Sequence, residues 1–225
     1  IITSNEEIYP GADLSNSMLS SIDLSSADLS NVNFSGSIFD NVNLNGANLS
    51  GANLHGAHLR NHDFTGVFLN NANFTNASLI NSNFSNAIAI SNAVFTGSNL
   101  AGTNLANADL RDHDLTNTIL SAANLENSYL NNSILTGADL TYSLLTEARF
   151  TGSNFQEADL RFANFSDTNW NGYDFSSTDL TGVNFKNSNL STANFTGANL
   201  IGANLNGASL IGANLSGTDL TGADL

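Results

Sequence analysis

A five-residue repeat constrains the fold of this chain more than any other feature of its sequence. In residues 181–225 one unit recurs nine times without a break. Each unit reads small residue, Asn or Asp, central Leu or Phe, Ser or Thr, then Gly or Asn. We call the central residue i, so that the unit runs from i−2 to i+2. A fixed internal period predicts one quasi-linear array, because each unit needs its neighbours to bury its apolar side chain.

The register of the repeat divides the chain into a short lead-in and a long array. Residues 1–11 are expected to form an acidic N-terminal tail or cap, and residues 12–225 the array of 43 units. Central residues fall every five positions from Leu14 to Phe84. One extra residue then lies between Phe84 and Phe95, which predicts a single-residue bulge there, with Ile90 as the displaced central residue and a stack that is otherwise continuous on both sides. Trp170 replaces Leu or Phe once in the second part.

The letters of the unit follow from strand and turn geometry. In an extended segment i and i−2 point to one side and i−1 to the other. Gly or Asn at i+2 occupies the third position of a four-residue turn, where a type II turn needs a positive φ. Each unit therefore predicts one short strand with i and i−2 inside, i−1 outside, and a corner at i+2.

The unit A(D/N)LXX resembles the defining repeat of the pentapeptide-repeat family, and the resemblance extends over residues 12–225. It implies an all-β fold, a right-handed quadrilateral parallel β-helix with four units per coil and about 10–11 coils. In such a solenoid residues 20 positions apart stack on the same side.

Acidic residues are concentrated in one part of the chain. Residues 109–180 hold eleven acidic residues and three Arg, a net charge of −8, whereas residues 41–108 are neutral. With a 20-residue coil Asp139, Asp159 and Asp179 form a ladder, whose repulsion a cation or a partner would relieve. The alternative is that Asp at i−1 merely replaces Asn.

The same region contains unusual corners and exposed aromatic residues. Bulky or acidic residues at i+2 disfavour positive φ, so these corners are expected to depart from type II geometry. Tyr142 should stack on Phe162, and Tyr129 should meet Arg149 in a cation–π contact. Unselected variation on a tolerant surface would explain these residues equally well. The candidate interaction patch comprises Tyr129, Asp139, Tyr142, Glu147, Arg149, Asp159, Phe162 and Asp179.

Catalytic, metal and cofactor sites are not predicted. The register places His55 and His58 outside and His62 inside, which separates an apparent metal-binding triad. His62 and His113 are expected to be core histidines satisfied by hydrogen bonds. The chain lacks Cys and carries no nucleophile elbow, phosphate loop or dinucleotide fingerprint. We therefore expect no enzyme activity.

Three functions fit these features. The first is a non-enzymatic interaction or structural scaffold with an unknown protein partner. The second, implied by resemblance to the quinolone-resistance pentapeptide proteins, is a DNA mimic that binds a type II topoisomerase (gyrase). The least favoured is an antifreeze-like or cell-surface rod. Five basic residues argue against direct nucleic-acid binding, and no apolar run approaches the ~20 residues of a membrane span.

The last unit of the sequence bears on self-association, and the composition bears on the cellular compartment. The chain ends on a complete unit, TGADL, with no capping helix. We therefore expect end-to-end or C-terminal homo-association, or a further segment downstream. The sequence favours the cytoplasm slightly, and it is compatible with a fragment of a larger chain.

Overall fold

The computed structural model describes residues 1–2 and 8–225, and these residues form parallel β-structure. Two regular strands, β1 (Met18–Ser20) and β2 (Ile38–Asp40), pair in parallel. A one-turn 3-10 helix covers Ile90–Asn92, and no α-helix occurs in the described ranges.

The lead-in is only partly described. Ile2 is buried and bridges to Leu19, and Ile8 packs against the core, whereas Tyr9 is exposed. The acidic pair Glu6 and Glu7 of the expected tail lies outside the described residues.

Most of the chain pairs through single parallel bridges between residues 20 positions apart, such as Asn33 with Asn53. The N–H of most central residues donates to a carbonyl 19 positions further on, as Leu54 does to Asn73 over 2.7 Å. The bridges fall into four ladders, and successive units join successive ladders. We number the four sides by the first i−1 residue of each ladder. These residues are Asp13 for side 1, Met18 for side 2, Asp23 for side 3 and Asp28 for side 4.

The central residues form the core. Leu54 and Trp170 are almost completely buried, and the Ala residues at i−2 lie between the larger side chains. Phenylalanines of successive coils stack, with ring centroids 4.4 Å apart for Phe64 and Phe84 and 5.3 Å apart for Phe74 and Phe95. Burial of each such side chain contributes about 1.5–3 kcal/mol. Packing of the apolar side chains and the hydrogen bonds of the ladders therefore both hold successive coils together.

The corners keep one conformation whatever residue occupies them. Gly182 has φ +66°, and Tyr142, Glu147 and Phe162 have φ between +58° and +61°. The expectation that bulky or acidic corners abandon the positive φ was wrong. The hydrogen bond of the turn accompanies this conformation, since the Ala163 N–H donates to Leu160 O at 3.1 Å. Glu157 also keeps φ +59° with the corresponding turn bond, although its own N–H makes no bond to the next coil. Holding an L-residue in this region costs roughly 1–2 kcal/mol.

The extra residue lies between Phe84 and Phe95, where the sequence register breaks. It is taken up by the 3-10 turn and by Ala89 at φ +56°, while Ile90 is buried. Bridges across this level join residues 21 positions apart, for example Ser78 with Asn99, and the 20-residue spacing then resumes.

The ladders are interrupted next to three bulky rings at i−2, those of His62, His113 and Tyr173. The expectation that the stack is continuous outside the bulge was therefore wrong. In residues 8–225 the interruptions separate six pairs that would otherwise bridge. The pairs are Asn43/Asp63, Ile88/Asp109, Val94/Asp114, Arg149/Asn169, Asn154/Asp174 and Asp159/Asp179. A ring at i−2 requires more room than Ala, and the extra residue adds to the opening beside His113.

Candidate interaction surface

The expected acidic ladder on side 2 is continuous only from Asp139 to Asp159, because no bridge joins Asp159 to Asp179. Arg161 pairs with Asp159. Its Nε donates to Asp159 Oδ1 at 2.9 Å, and its Nη2 lies 2.5 Å from Asp159 Oδ2. Its guanidinium lowers the pKa of Asp159, mainly through the side-chain hydrogen bond. The carboxylates raise the pKa of Arg161, with Asp159 contributing most and Asp179 and Asp139 adding to it. The expected relieving cation is therefore supplied by the chain itself.

The sequence contained a signal for this pair that sequence reasoning missed. In Asp-Leu-Arg the acid stands at i−1 and the arginine at i+1, so both leave the same side of the unit. The motif occurs twice, and Arg111 repeats the geometry on Asp109 with N–O distances of 2.8 and 2.7 Å. Such exposed pairs contribute little to stability because solvent screens them, but they reduce the local negative charge.

The remaining carboxylates of the ladder also bond to their own turns. Asp139 Oδ1 accepts from the Thr141 N–H at 2.9 Å and from its hydroxyl at 2.7 Å. Asp179 accepts in the same way from Thr181, at 3.1 and 2.5 Å. An Asn oxygen makes the same bond elsewhere, so exchanging Asp for Asn should remove charge and keep the turn.

Tyr142 and Phe162 form an exposed aromatic stack on the corner between sides 2 and 3. Their ring centroids are 4.9 Å apart and nearly parallel, and the residues are 60% and 43% exposed. Gly182 occupies the next coil below Phe162, and a Cβ atom there would overlap the Phe162 ring. The missing side chain at Gly182 thus leaves the space in which Phe162 lies. Together with Asp139, Asp159, Arg161 and Asp179, these rings form what we call the acidic–aromatic surface.

The other predicted residues lie on side 4 and its corner with side 3. Tyr129 bridges to Arg149, whose Cζ lies 5.0 Å from the ring centroid, and Arg111 approaches the same ring at 6.0 Å. Glu147 borders the same open groove as Tyr129 and Arg149. We call these residues the arginine–tyrosine surface. Because sides 2 and 4 are not neighbours, the structure divides the eight predicted residues between two surfaces.

The four histidines are divided between the surface and the core. His55 and His58 are exposed, whereas His62 and His113 are buried. Within residues 1–2 and 8–225 no cluster of three or more His, Asp or Glu residues is arranged to hold a metal. His113 contacts two carbonyl oxygens, Arg111 O at 3.2 Å through Nδ1 and Ile90 O at 3.1 Å through Nε2.

His62 is less well satisfied than the sequence suggested. Its Nδ1 lies 3.0 Å from Arg60 O, but its buried Nε2 has no partner. Burial is the largest effect on this imidazole and lowers its pKa. The expectation that hydrogen bonds satisfy His62 is therefore wrong at Nε2.

Comparison with known proteins agrees with this architecture. The family model described as "Pentapeptide repeats" matches eight times, and the copies together reach from residue 10 to residue 225. The matched segments are 10–46, 27–66, 63–88, 90–121, 118–156, 133–172, 158–197 and 188–225. The chain belongs to the pentapeptide-repeat family. Within the described ranges no helix is both long and apolar enough to cross a membrane.

Solved structures of the family resemble the chain to different degrees. HetL from the cyanobacterium Nostoc sp. strain PCC 7120, involved in heterocyst differentiation regulation, is 28% identical with a TM-score of 0.54, and the match covers 96% of this chain and 90% of HetL. The fluoroquinolone resistance protein QnrB1 is 21% identical over 99% and 87% of the two chains, with a TM-score of 0.28. Rfr23 from the cyanobacterium Cyanothece 51142 is 27% identical over 74% and 90%, with a TM-score of 0.25. No curated protein matches the chain in sequence.

Proposed function

We propose that this pentapeptide-repeat chain is a non-enzymatic scaffold, a right-handed quadrilateral β-helix of about 10–11 coils that binds a protein partner. The acidic–aromatic surface is the proposed docking site. The observation that carries the proposal is the exposed stack of Tyr142 on Phe162 on a corner where most units carry Gly or Asn.

The corner makes this stack an unfavourable choice for the isolated chain. Tyr142 and Phe162 both hold a positive φ, which disfavours L-residues, and both leave apolar rings in water. Exposed aromatic side chains on a corner, beside the carboxylates of side 2, are suited to recognition. We infer a partner with an apolar pocket for the two rings and basic residues around it.

The arrangement of polar groups supports a binding role over catalysis. The carboxylates of Asp139 and Asp179 lie on an outward side and are committed to their own turns. Acid–base catalysis usually needs a concave site that excludes water. We therefore assign neither a catalytic residue nor a cofactor.

The scaffold proposal is tested by removing the rings without changing the corner. Tyr142→Asn with Phe162→Asn keeps a residue type that already adopts this φ at Asn127 and Asn132. Proteins retained on the immobilised chain are quantified against this double variant and against Tyr129→Asn on the other surface. We expect a partner retained by the parent and by Tyr129→Asn, lost with the double variant, and weakened by salt. Equal retention by all three chains would contradict the assignment.

The alternative, a DNA mimic that binds gyrase, is favoured by one feature, the carboxylates of the acidic ladder. Net charge over the proposed length gives about half the linear density of duplex DNA, which carries one charge per ~1.7 Å. Arg161 lowers the local charge further. We therefore expect weak inhibition or none in a supercoiling assay. Potent inhibition that disappears in an Asp139→Asn, Asp159→Asn, Asp179→Asn variant would support the mimic over the scaffold.

A further inference from the structure

The widest interruption of the ladders lies between residues 149–160 and 169–179, and we call it the seam. Three successive bridges are absent there, on sides 4, 1 and 2, whereas side 3 remains paired through Leu144 with Asn164. The ladder bonds are intact at both ends of the seam, at Glu147 to Ser166 and at Phe162 to Thr181. Backbone N–H and C=O groups of both edges are thus left without their usual partners in this part of the described chain.

A cluster of rings holds the seam open. Trp170 lies 4.0 Å from Phe150 and 4.9 Å from Tyr173 between ring centroids. Tyr173 occupies an i−2 position where most units place a small residue, and its Oη accepts a hydrogen bond from the Phe155 N–H at 3.3 Å. In an intact ladder that N–H would bond to Asp174 O. The tyrosine hydroxyl therefore replaces a strand carbonyl.

The seam forms an acidic groove on sides 1 and 2. It encloses about 750 Å³ and is lined by residues from 153–160 and 173–179. Three lining residues are acidic, Glu157, Asp174 and Asp179, and none is basic. The Ser176 N–H donates to the carboxylate of Asp174, and this hydrogen bond is the main cause that lowers the pKa of Asp174. The carboxylate is therefore ionised at neutral pH.

We propose that the seam binds an extended basic peptide segment. Unpaired strand edges recognise a peptide through its main-chain amides, as in other cases of strand addition. Alternate side chains of such a strand point to one side, so every second Lys or Arg would face Glu157, Asp174 and Asp179. The negative lining disfavours nucleic acid. This site goes beyond the proposed docking surface, with which its lining shares only Asp179 and its edges also share Asp159.

The probe that tests the seam is the acetylated and amidated hexapeptide Lys-Val-Lys-Val-Lys-Val, with binding measured by calorimetry at low and high salt. A second peptide carries N-methyl groups on alternate amides, which keeps the charge and blocks strand pairing. We expect the first peptide to bind and its affinity to fall at high salt. N-methylation should lower the affinity roughly tenfold or more. No binding, or equal binding of the methylated peptide, would overturn the proposal.

Variants of the protein separate the seam from general acidity. Tyr173→Ala removes the ring that holds the seam open and should allow the ladder to close. The Phe155 and Leu160 amides should then be protected from hydrogen exchange, and the affinity for the peptide should fall roughly tenfold or more. Glu157→Lys, on an exposed corner, should weaken it comparably without a change of fold. The Tyr142→Asn, Phe162→Asn variant should bind the peptide with unchanged affinity. This result distinguishes a failure of the proposed docking surface from a failure of the seam. Unchanged affinity in both Tyr173→Ala and Glu157→Lys would exclude the seam.

Discussion

At the residue scale, Asn and Asp at i−1 serve the same structural purpose. Asp63 Oδ1 accepts from the Thr65 N–H at 3.0 Å, and Asn73 Oδ1 accepts from the Thr75 N–H at 3.0 Å. The turn needs only an acceptor oxygen, so charge at i−1 is free to vary without loss of the fold. The acidic ladder is therefore compatible with a role in binding, and equally with replacement of Asn by Asp without any function.

Arg161→Gln tests how the chain relieves that ladder. The pKa of Asp159 should rise toward its ordinary value, because the side-chain hydrogen bond from Arg161 is the main cause of its depression. A depressed carboxyl pKa stabilises the fold above the unfolded value of about 3.9. That contribution is lost as pH falls through the folded pKa. Carboxyl NMR titration measures the change, with Arg149→Gln as the control. An unchanged Asp159 titration would refute the assignment.

Glu147→Asn tests the strain at the corners. Asn tolerates the positive φ of this position better than Glu does. We expect the free energy of unfolding in urea to rise by roughly 1 kcal/mol or less. Glu126→Asn is the matched control, since Glu126 has no positive φ. Equal effects of the two substitutions would show that the corner is unstrained.

At the element scale, a ring at i−2 accompanies an opening between one coil and the coil before it, and the opening extends to adjacent units with small i−2 residues, such as that of Thr178. Beside Ala52 and Ala72 the ladder is continuous, whereas beside His62 and Tyr173 it opens. A larger core residue therefore acts on hydrogen bonds between coils and not only on packing.

His62→Ala should close the smallest of these openings. With Ala at i−2, the Leu44 and Asp63 amides should regain ladder bonds, because alanines elsewhere allow them. Hydrogen exchange of the two amides should slow relative to the parent chain. His58→Ala, which alters only an exposed side chain, should leave their exchange unchanged. Equally fast exchange in both variants would contradict this role of the ring at i−2.

The same histidine predicts a pH dependence. Burial lowers the pKa of His62 below its ordinary 6.5, so the unfolded chain binds the proton more readily. The free energy of unfolding should therefore fall as pH drops below about 6.5 and level off below the folded pKa. The slope should be absent in His62→Gln. Thermal unfolding between pH 7 and pH 5 measures it, and an identical slope in both chains would refute this origin.

At the scale of the whole molecule, the 225-residue polypeptide should self-associate. Leu215 and Leu220 are only partly buried, and Leu225 is exposed. Unpaired strand edges with apolar side chains favour pairing with another copy. Sedimentation should show a mass that rises with concentration, and Leu220→Lys should reduce the effect. A monomer over the whole range would exclude self-association through this end.

The sequence predicts the position of a side chain well where the repeat spacing alone determines it. It predicts the structure poorly where contacts with residues of other coils determine it. The positions of Leu54 inside and Asn53 outside follow from strand alternation alone. The stack of Tyr142 on Phe162 follows from the 20-residue period. The positive φ of Glu147 does not, since it accompanies the turn bond from the Ala148 N–H to Leu145 O, which also forms at corners occupied by Gly or Asn. The seam depends on how Trp170 and Tyr173 fill a shared volume, which no local pattern contains.

The ladder spacing also makes the chain a molecular ruler. Inserting 20 residues after Gly102 would lengthen the rod by one strand spacing, ~4.8 Å, while each later residue kept its side. An insertion of five residues would instead turn every later surface to the next side. The 21-residue level around Ile90 shows that a single added residue is absorbed locally and turns nothing. The distance and the angle between two binding surfaces can thus be set independently by counting residues.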